Sequence, residues 1–379
     1  MKTLTILVKP SSDKCNLQCH YCFYHDISNK RETKDYGFMS NNTAQKIIDN
    51  AFSCQTHQII NFAFQGGEPT LIGIDFFYQF IDYVEQQKRM YRLDITVQYS
   101  LQTNATRLNK TWLTFFKEHD FLIGLSLDGD RFVHDRYRIF TTGKGSYDKV
   151  TSILDRLKKQ GIRFNILSVI TSQLAHRINI IYPELKALGA EHLQFIPCLE
   201  PWDEKPNQQS WSLTAQDYGL FLSQLFTLWE KDVYLNKEPE IRYFSNLIGI
   251  MFGYLPESCD MRGTCAIQNV VEANGSIYPC DFYAFESMKI GHVEKQRFDQ
   301  LHNEEKAQQF LNRSYKLPID CQRCSFLQLC RSGCQRHNET EELGGKNRFC
   351  HSYLYFFNKH IRELEEVAEY ISLQQERVS

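Results

Sequence analysis

The segment Leu4-Thr5-Ile6-Leu7-Val8 precedes Cys15-Asn16-Leu17-Gln18-Cys19-His20-Tyr21-Cys22, and this apolar run followed by three cysteines decides how the chain is interpreted. A short apolar run is typical of a buried β-strand. Three thiolates can hold three irons of a four-iron cluster and leave the fourth iron open to another ligand. Half of a zinc site, completed by His20 or His25, is the alternative.

Six β-rich runs alternate with stretches of helical spacing over the first 235 residues. In one of these stretches Val150, Ile153, Leu154 and Leu157 recur at helical intervals after Ser146, a predicted N-cap. Strand–helix alternation predicts an α/β fold, a partial (β/α)6 TIM-type barrel, with a doubly wound sheet as the alternative. The predicted strands are Leu4–Val8, Ile59–Phe64, Ile95–Leu101, Phe121–Leu127, Phe164–Ile170 and His192–Ile196.

A change of pattern after Asn236-Lys237-Glu238-Pro239 predicts a second domain. Residues 1–235 form the predicted barrel, and residues 236–379 form a cysteine-rich domain that ends in a helix from Tyr353 to about Leu373. The region before this helix has few periodic apolar residues, so it needs another source of stability. Metal coordination can supply it.

Composition narrows the classes of function. The chain has 379 residues and a formal net charge of −2, so no strong field favours nucleic acid or anionic membrane. No apolar run is long enough to span a bilayer, and the N-terminal run is too short for a signal peptide. We therefore expect a cytoplasmic protein. In a reducing compartment the clustered cysteines among the 13 are expected to bind metal rather than form disulfides.

Two other predicted strands end in residues suited to a cofactor site. Gly66-Gly67-Glu68-Pro69 follows the second strand, and Leu125-Ser126-Leu127-Asp128-Gly129 ends the fourth. Loops at the carboxyl ends of barrel strands build active sites, and glycine permits a close backbone approach. Taken alone, the glycine pair is an ordinary strand-ending turn.

The three-cysteine spacing, with an aromatic residue before the last cysteine, resembles the signature of radical S-adenosylmethionine enzymes. Gly66–Pro69 is similar to their GGEP motif. The resemblance implies a 4Fe-4S cluster on Cys15, Cys19 and Cys22. It also implies S-adenosylmethionine on the open iron as the source of a 5′-deoxyadenosyl radical. The cofactor contacts that it implies are Tyr21, Gly67, Ser126, Arg138 and Leu199. Core packing (Leu199) and a solvated surface charge (Arg138) are the alternatives.

Eight cysteines lie between Cys259 and Cys350 and resemble the twin-cluster SPASM extension of radical enzymes. The same spacing would also permit two zinc sites. By resemblance, one auxiliary 4Fe-4S cluster is held by Cys259, Cys265, Cys280 and Cys334. The other is held by Cys321, Cys324, Cys330 and Cys350. Three 4Fe-4S clusters would use eleven cysteines, and the two left over, Cys54 and Cys198, are the isolated ones.

The closest resemblance is to anaerobic sulfatase-maturating enzymes. It rests on Cys22–His25, Ala63–Pro69, Leu101–Asn104, Ile241–Phe244 and Tyr278–Tyr283. It implies radical oxidation of a cysteine or serine to Cα-formylglycine in a sulfatase that carries a Cys/Ser-x-Pro/Ala-x-Arg motif. A reductant such as flavodoxin or ferredoxin is expected, with no nucleic acid or membrane partner, and the protein is expected to be a monomer.

The resemblance also assigns roles at the substrate. Asp281, directly after Cys280, is the expected general base, because loss of two electrons from the β-carbon also requires loss of a proton. Tyr24, Gln65 and Arg242 are expected to contact the substrate peptide. A solvated turn residue is the alternative for Asp281, and packing or surface charge is the alternative for the other three.

Two other functions stay open on sequence alone. One is a SPASM maturase that forms thioether or carbon–carbon crosslinks in a ribosomally made peptide. The other is a zinc- or cluster-bearing scaffold or electron carrier without catalysis, which would not require so large a barrel-like domain.

Overall fold

The computed structural model describes residues 2–54, 57–91, 95–338 and 345–378. Contacts divide the chain into two compact units. The first comprises Met1–Leu127, Asp135–Phe164 and Ala266–Phe310, and the second comprises Asp128–His134, Asn165–Cys265 and Leu311–Ser379. The domain boundary between residues 235 and 236 stays a prediction.

The strands of the first unit's described part are Thr3–Val8 (β1), Ile59–Phe64 (β2), Thr96–Thr103 (β3), Leu122–Ser126 (β4), Val270–Val271 (β8), Ser276–Tyr278 (β9) and Gly291–His292 (β10). Their order in the sheet is β10-β9-β8-β1-β2-β3-β4. Strands β1 to β4 run parallel, and β8 pairs with β1 in parallel, whereas β9 pairs antiparallel with both β8 and β10.

The second unit contributes three parallel strands, in which β6 pairs with both neighbours. They are Phe164–Ile170 (β5, whose first residue lies at the end of the first unit), His192–Pro197 (β6) and Glu240–Ile241 (β7). A long C-terminal helix packs against the helix that follows β6.

Helices connect the strands. Their bounds are Phe23–Asn29 (α1), Asn41–Ser53 (α2), Ile74–Tyr91 (α3), Lys110–Glu118 (α4), Arg131–Tyr137 (α5), Tyr147–Gln160 (α6), Ser172–His176 (α7), Ile178–Ala187 (α8), Ala215–Tyr234 (α9), Arg242–Met251 (α10), Glu305–Ser314 (α11), Ile319–Gln322 (α12), Leu327–Cys330 (α13) and Cys350–Val378 (α14). Short 3-10 helices span Pro69–Ile72, Cys259–Met261, Asp281–Tyr283, Glu286–Met288, Phe298–Asn303 and Gln335–His337. No helix in the described part of the chain has the length and apolar character needed to cross a bilayer.

Apolar periodicity explains why these segments bury the faces that they do. In β2 alternate residues are buried, and Phe62 and Phe64 meet Phe80 of α3 edge-on. In α6 the predicted residues Val150, Ile153, Leu154 and Leu157 are the buried ones. Edge-to-face aromatic pairs stabilise a core beyond the area that they bury.

One local prediction is wrong in its chemistry. Ser146 stands at the N-cap position of α6, but its side chain makes no capping hydrogen bond there. Its hydroxyl instead donates to the carbonyl of Arg138 at 2.8 Å. The backbone of Ser146, at φ −110° and ψ −3°, does not have the extended conformation that directs an N-cap side chain to the N–H groups of the first turn.

Candidate active site

The three N-terminal cysteines lie in the loop that follows β1, and their thiols influence one another. Burial is the main cause that raises the pKa of Cys15 to about 12, with Glu68 and the thiol of Cys19 adding to it. The pKa of Cys22 is raised to about 11, mainly by burial. Cys15 contributes to this rise, and Arg138 opposes it.

Two N–H groups point at the Cys15 sulfur. The backbone N–H of Leu17 donates to Sγ at 3.4 Å, and the Asn104 side-chain amide donates at 3.7 Å. Hydrogen bonds to sulfur stabilise the thiolate form, which is the form that binds iron. This loop therefore fits a cluster bound through three cysteines.

The glycine turn after β2 packs directly on the cysteine loop. Gly67 has φ +54°, and a Cβ there would lie 2.3 Å from the carbonyl oxygen of Lys14. The backbone N–H of Glu68 donates to that same carbonyl at 2.8 Å. A side chain at position 67 would separate the two loops, so the turn requires glycine for both its conformation and its contact.

Of the five predicted cofactor contacts, Gly67, Ser126, Tyr21 and Arg138 belong to the first unit. Ser126 ends β4 and is buried. The Arg138 guanidinium lies 5.5 Å from the centre of the Tyr21 ring, and its 8% exposure excludes a solvated surface charge. The fifth contact, Leu199, is buried in the second unit just after β6.

Asp281 is buried in the first unit. Two of the three residues predicted to contact the substrate, Tyr24 and Gln65, lie beside it. Its Oδ2 accepts hydrogen bonds from the Tyr24 hydroxyl at 2.5 Å and from Gln65 Nε2 at 2.7 Å. Its Oδ1 is buried and has no hydrogen-bond partner. Burial raises the pKa of Asp281, whereas Lys9 and the two hydrogen bonds oppose the rise. A solvated turn residue is therefore the wrong description of Asp281.

The third residue predicted to contact the substrate, Arg242, begins α10 in the second unit. Its Nε donates to Glu257 Oε1 at 2.5 Å, and its side chain is 34% exposed. The pair leaves part of the guanidinium accessible.

The second unit holds seven of the eight later cysteines in two groups. The pKa of Cys330 is raised to about 11, mainly by burial, and the thiols of Cys321, Cys324 and Cys350 contribute to this rise. Burial also raises the pKa of Cys334, and Cys259 and Cys265 add to that shift. Cys334 therefore lies near Cys259 and Cys265, and Cys330 lies near Cys321, Cys324 and Cys350. The eighth cysteine, Cys280, lies in the first unit next to Asp281.

No three Cys, His, Asp or Glu side chains surround a position for one metal ion within residues 2–54, 57–91, 95–338 and 345–378. In a 4Fe-4S cluster each thiolate binds a different iron, so the ligands surround a group several ångströms wide rather than one point.

Known proteins match this arrangement from end to end. The Radical SAM superfamily matches residues 10–176, and an iron-sulfur cluster-binding domain, SPASM, matches residues 259–325. A cysteine-type anaerobic sulfatase-maturating enzyme of Clostridium novyi is 42% identical over 99% of this chain and 100% of its own. The chain belongs to the anaerobic sulfatase-maturating enzymes.

A solved structure and a more distant relative agree with this membership. The structure described as native anSMEcpe with bound AdoMet and Cp18Cys peptide is 36% identical, with a TM-score of 0.91 over 97% of this chain and 99% of that one. A serine-type anaerobic sulfatase-maturating enzyme of Bacteroides thetaiotaomicron is 29% identical over 94% of this chain and 89% of its own.

Membership confirms several predictions for this anaerobic sulfatase-maturating enzyme. The fold is the radical S-adenosylmethionine partial barrel with a SPASM domain. The enzyme is a radical oxidoreductase of the class that converts cysteine or serine to Cα-formylglycine. Its cofactors are three 4Fe-4S clusters and S-adenosylmethionine. The peptide-crosslinking and scaffold alternatives are set aside.

Sequence reasoning missed the charged groups beneath Asp281. Lys9 and Glu272 are almost fully buried, and their side chains form an ion pair at 2.6 Å. Arg31 joins the same Glu272 oxygen. A charge directly after an apolar strand, as at Lys9 after β1 and Glu272 after β8, is the pattern that could have indicated them.

Proposed function

We propose that this enzyme oxidises a cysteine of a sulfatase polypeptide and that Asp281 is the general base. The observation that carries the proposal is that the two oxygens of the Asp281 carboxylate differ in their hydrogen bonds. Oδ2 accepts from Tyr24 and Gln65, whereas Oδ1 has no hydrogen-bond partner. A buried oxygen without a partner is costly unless a substrate group occupies it in the working complex.

The protein groups then have distinct tasks. When bound, the cofactors supply the radical that removes a hydrogen atom from the substrate and the acceptors for the remaining electron. Asp281 Oδ1 takes the proton of the substrate thiol, and Tyr24 and Gln65 keep the carboxylate in one orientation. Loss of a hydrogen atom, a proton and an electron leaves a thioaldehyde, which water hydrolyses to the aldehyde with release of hydrogen sulfide. Arg242 contributes a positive charge to peptide binding. Tyr21, Gly67, Ser126, Arg138 and Leu199 contact S-adenosylmethionine.

We further propose the assignment of ligands to clusters. Cys15, Cys19 and Cys22 hold the first cluster. Support for the auxiliary assignment comes from the grouping of Cys259 and Cys265 with Cys334, and from the grouping of Cys330 with three others. Cys280 completes the first auxiliary set by family membership. The second set is Cys321, Cys324, Cys330 and Cys350.

The preference for cysteine rests on two supports. Identity is 42% to a cysteine-type relative and 29% to a serine-type one. A thiol is also a far stronger acid than an aliphatic hydroxyl, so a carboxylate suffices as its base. The reductant of flavodoxin or ferredoxin type, the monomeric state and the cytoplasmic location stay predictions.

The test uses the reduced enzyme loaded with its clusters, S-adenosylmethionine, and paired peptides containing Cys-x-Pro-x-Arg or Ser-x-Pro-x-Arg. Mass spectrometry should find the aldehyde mainly from the cysteine peptide. D281N should lower aldehyde formation by roughly 10²- to 10⁴-fold, the usual contribution of a general base, and leave 5′-deoxyadenosine formation within about twofold. Asp299→Asn is the control, because Asp299 also lies in a 3-10 helix but pairs with Arg297. Aldehyde formation by D281N at the parent rate would remove Asp281 from the mechanism, and equal use of both peptides would contradict the preference.

A further inference from the structure

Beneath Asp281 lies a set of buried charges that the proposed mechanism does not use. It comprises the cations Lys9 and Arg31 and the carboxylate Glu272. Together with Asp281 they make two positive and two negative groups, none more than 6% exposed. Glu272 Oε1 accepts from Lys9 Nζ at 2.6 Å and also from Arg31. Buried ion pairs add little net stability, so a balanced set beside a reacting group points to another role.

Lys9 is the member that faces both carboxylates. Its Nζ lies 3.7 Å from Asp281 Oδ1, which is too far for a hydrogen bond, and 4.4 Å from the centre of the Tyr24 ring. Its stem crosses Gly66, where a Cβ would come within 2.5 Å of Lys9 Cε. Lys9 therefore contacts Tyr24, one of the two residues that orient Asp281, and runs beside the other, Gln65.

Glu272 fixes the position of the Lys9 ammonium group. A movement of Nζ by about 1 Å would bring it to hydrogen-bond distance from Oδ1. The short contact with Glu272 opposes that movement, and Arg31 fixes Glu272 by binding its oxygen while donating from Nε to the carbonyl of Ala284 at 2.7 Å. The result is a lysine that supplies positive charge near Asp281 without occupying its free oxygen.

We propose that Glu272 is a positioning residue that holds Lys9 away from Asp281 Oδ1 and so keeps this oxygen open for the substrate. The inference rests on the proposed role of Asp281 and deepens it. Without Glu272, Lys9 would bind Oδ1 directly and compete with the thiol. A charge-assisted hydrogen bond of that kind is strong enough to exclude a neutral donor.

The decisive experiment compares Glu272→Gln, Lys9→Met and the double variant in cluster-loaded enzyme with the cysteine peptide. E272Q should lower the aldehyde formed per 5′-deoxyadenosine by about tenfold and raise the KM for peptide, as expected when a charge-assisted hydrogen bond blocks the site. In K9M/E272Q the competing lysine is gone, so the double variant should behave like K9M alone and recover at least about threefold over E272Q. A purely structural role predicts that the two losses add.

A second readout needs no turnover. Fluorescence anisotropy of a labelled cysteine peptide, on cluster-loaded enzyme without S-adenosylmethionine, should show weaker binding to E272Q and recovery in the double variant. Asp232→Asn is the control and should leave both readouts unchanged, because Asp232 is also a carboxylate paired with a lysine, Lys186, although it is less buried than Glu272. If E272Q does not fold, Glu272→Asp retracts the carboxylate and tests the same release of Lys9.

The outcomes separate the two proposals. A double variant no better than E272Q, or aldehyde and 5′-deoxyadenosine falling in proportion, would overturn the role of Glu272. If D281N keeps parent aldehyde formation, the proposed base fails and the role of Glu272 falls with it. If D281N is impaired while the Glu272 and Lys9 losses add, only the role of Glu272 fails.

Discussion

At the scale of single residues, the two isolated cysteines should differ in reactivity from free surface thiols. Cys198 is 2% exposed, and burial, with Glu200 adding to it, raises its pKa to about 12. Burial also raises the pKa of Cys54. At pH 8 a thiol of pKa 12, such as Cys198, is ionised in only about one molecule in 10⁴, and Cys54 is only 3% exposed. Iodoacetamide should therefore modify neither residue in the native, cluster-loaded enzyme. Peptide mapping checks this, with urea-unfolded protein as the reference, and modification of either within minutes would contradict it.

His337 gives a prediction about pH. It is 9% exposed, and burial, reinforced by Arg348 and Arg336, lowers its pKa to about 3. Because an unfolded histidine binds a proton near pH 6.5 and the folded one does not, stability is lost as pH falls below 6.5. The loss is about 1.4 kcal/mol per pH unit from this group. The apparent unfolding temperature at pH 5.5 relative to 7.5 should therefore fall less in His337→Leu than in the parent, and an equal fall would exclude His337 as a cause.

Single residues also show what the sequence can and cannot predict. Tyr24, Gln65 and Asp281 each lie within two residues of a recognisable motif, and the structure brings them together. Lys9, Arg31 and Glu272 belong to no motif. They form one network only because contacts join positions more than 240 residues apart, as between Arg31 and Glu272. A charge directly after an apolar strand can indicate a buried position, but local pattern contains no information about the partner of that charge.

At the scale of elements, two glycines of the loop after β2 should respond differently to alanine. Gly67→Ala would place a Cβ 2.3 Å from the Lys14 carbonyl, whereas Gly73 has φ +96° and nothing within 4 Å of a Cβ. G73A should therefore cost only backbone strain, of order 1–3 kcal/mol. G67A should push the cysteine loop away and abolish the first cluster, which would leave about eight irons per chain instead of about twelve. Iron analysis and 5′-deoxyadenosine formation measure this, and full iron in G67A would contradict the contact argument.

The elements themselves were predictable where they were long enough to show a period. Ile59–Phe64 and Phe164–Ile170 form strands with the predicted bounds, and Thr96–Thr103 and Leu122–Ser126 differ from the predictions by at most two residues at either end. The strands Val270–Val271 and Gly291–His292 have two residues each, which is too short for alternation to be visible. Val270–Val271 forms a strand because β1 offers it a backbone partner, and Gly291–His292 because β9 does, which are tertiary causes that lie outside any local window.

At the scale of the whole molecule, the described part of the second unit that holds Cys321, Cys324 and Cys330 has very little regular structure. Helices of four residues, Ile319–Gln322 and Leu327–Cys330, are too short to be stable alone. Positive φ at Arg331 and Ser332 adds conformations that non-glycine residues avoid. Cluster binding is a further source of order beside contacts such as Phe326 on Phe357, because the free energy of coordination is also free energy of folding.

Protease resistance of this segment should therefore depend on iron. Its tryptic sites lie between or close to the cluster cysteines, at Arg313, Lys316, Arg323, Arg331, Arg336, Lys346 and Arg348. Anaerobic removal of iron with a chelator should speed cleavage there by at least about tenfold, since local opening no longer breaks metal–thiolate bonds. Sites in the barrel helix Tyr147–Gln160 serve as the internal control, because its apolar face is buried without metal. Timed trypsin digestion followed by mass spectrometry reads both regions in one sample. Equal cleavage of the cysteine segment with and without iron would mean that its fold is held by protein contacts alone.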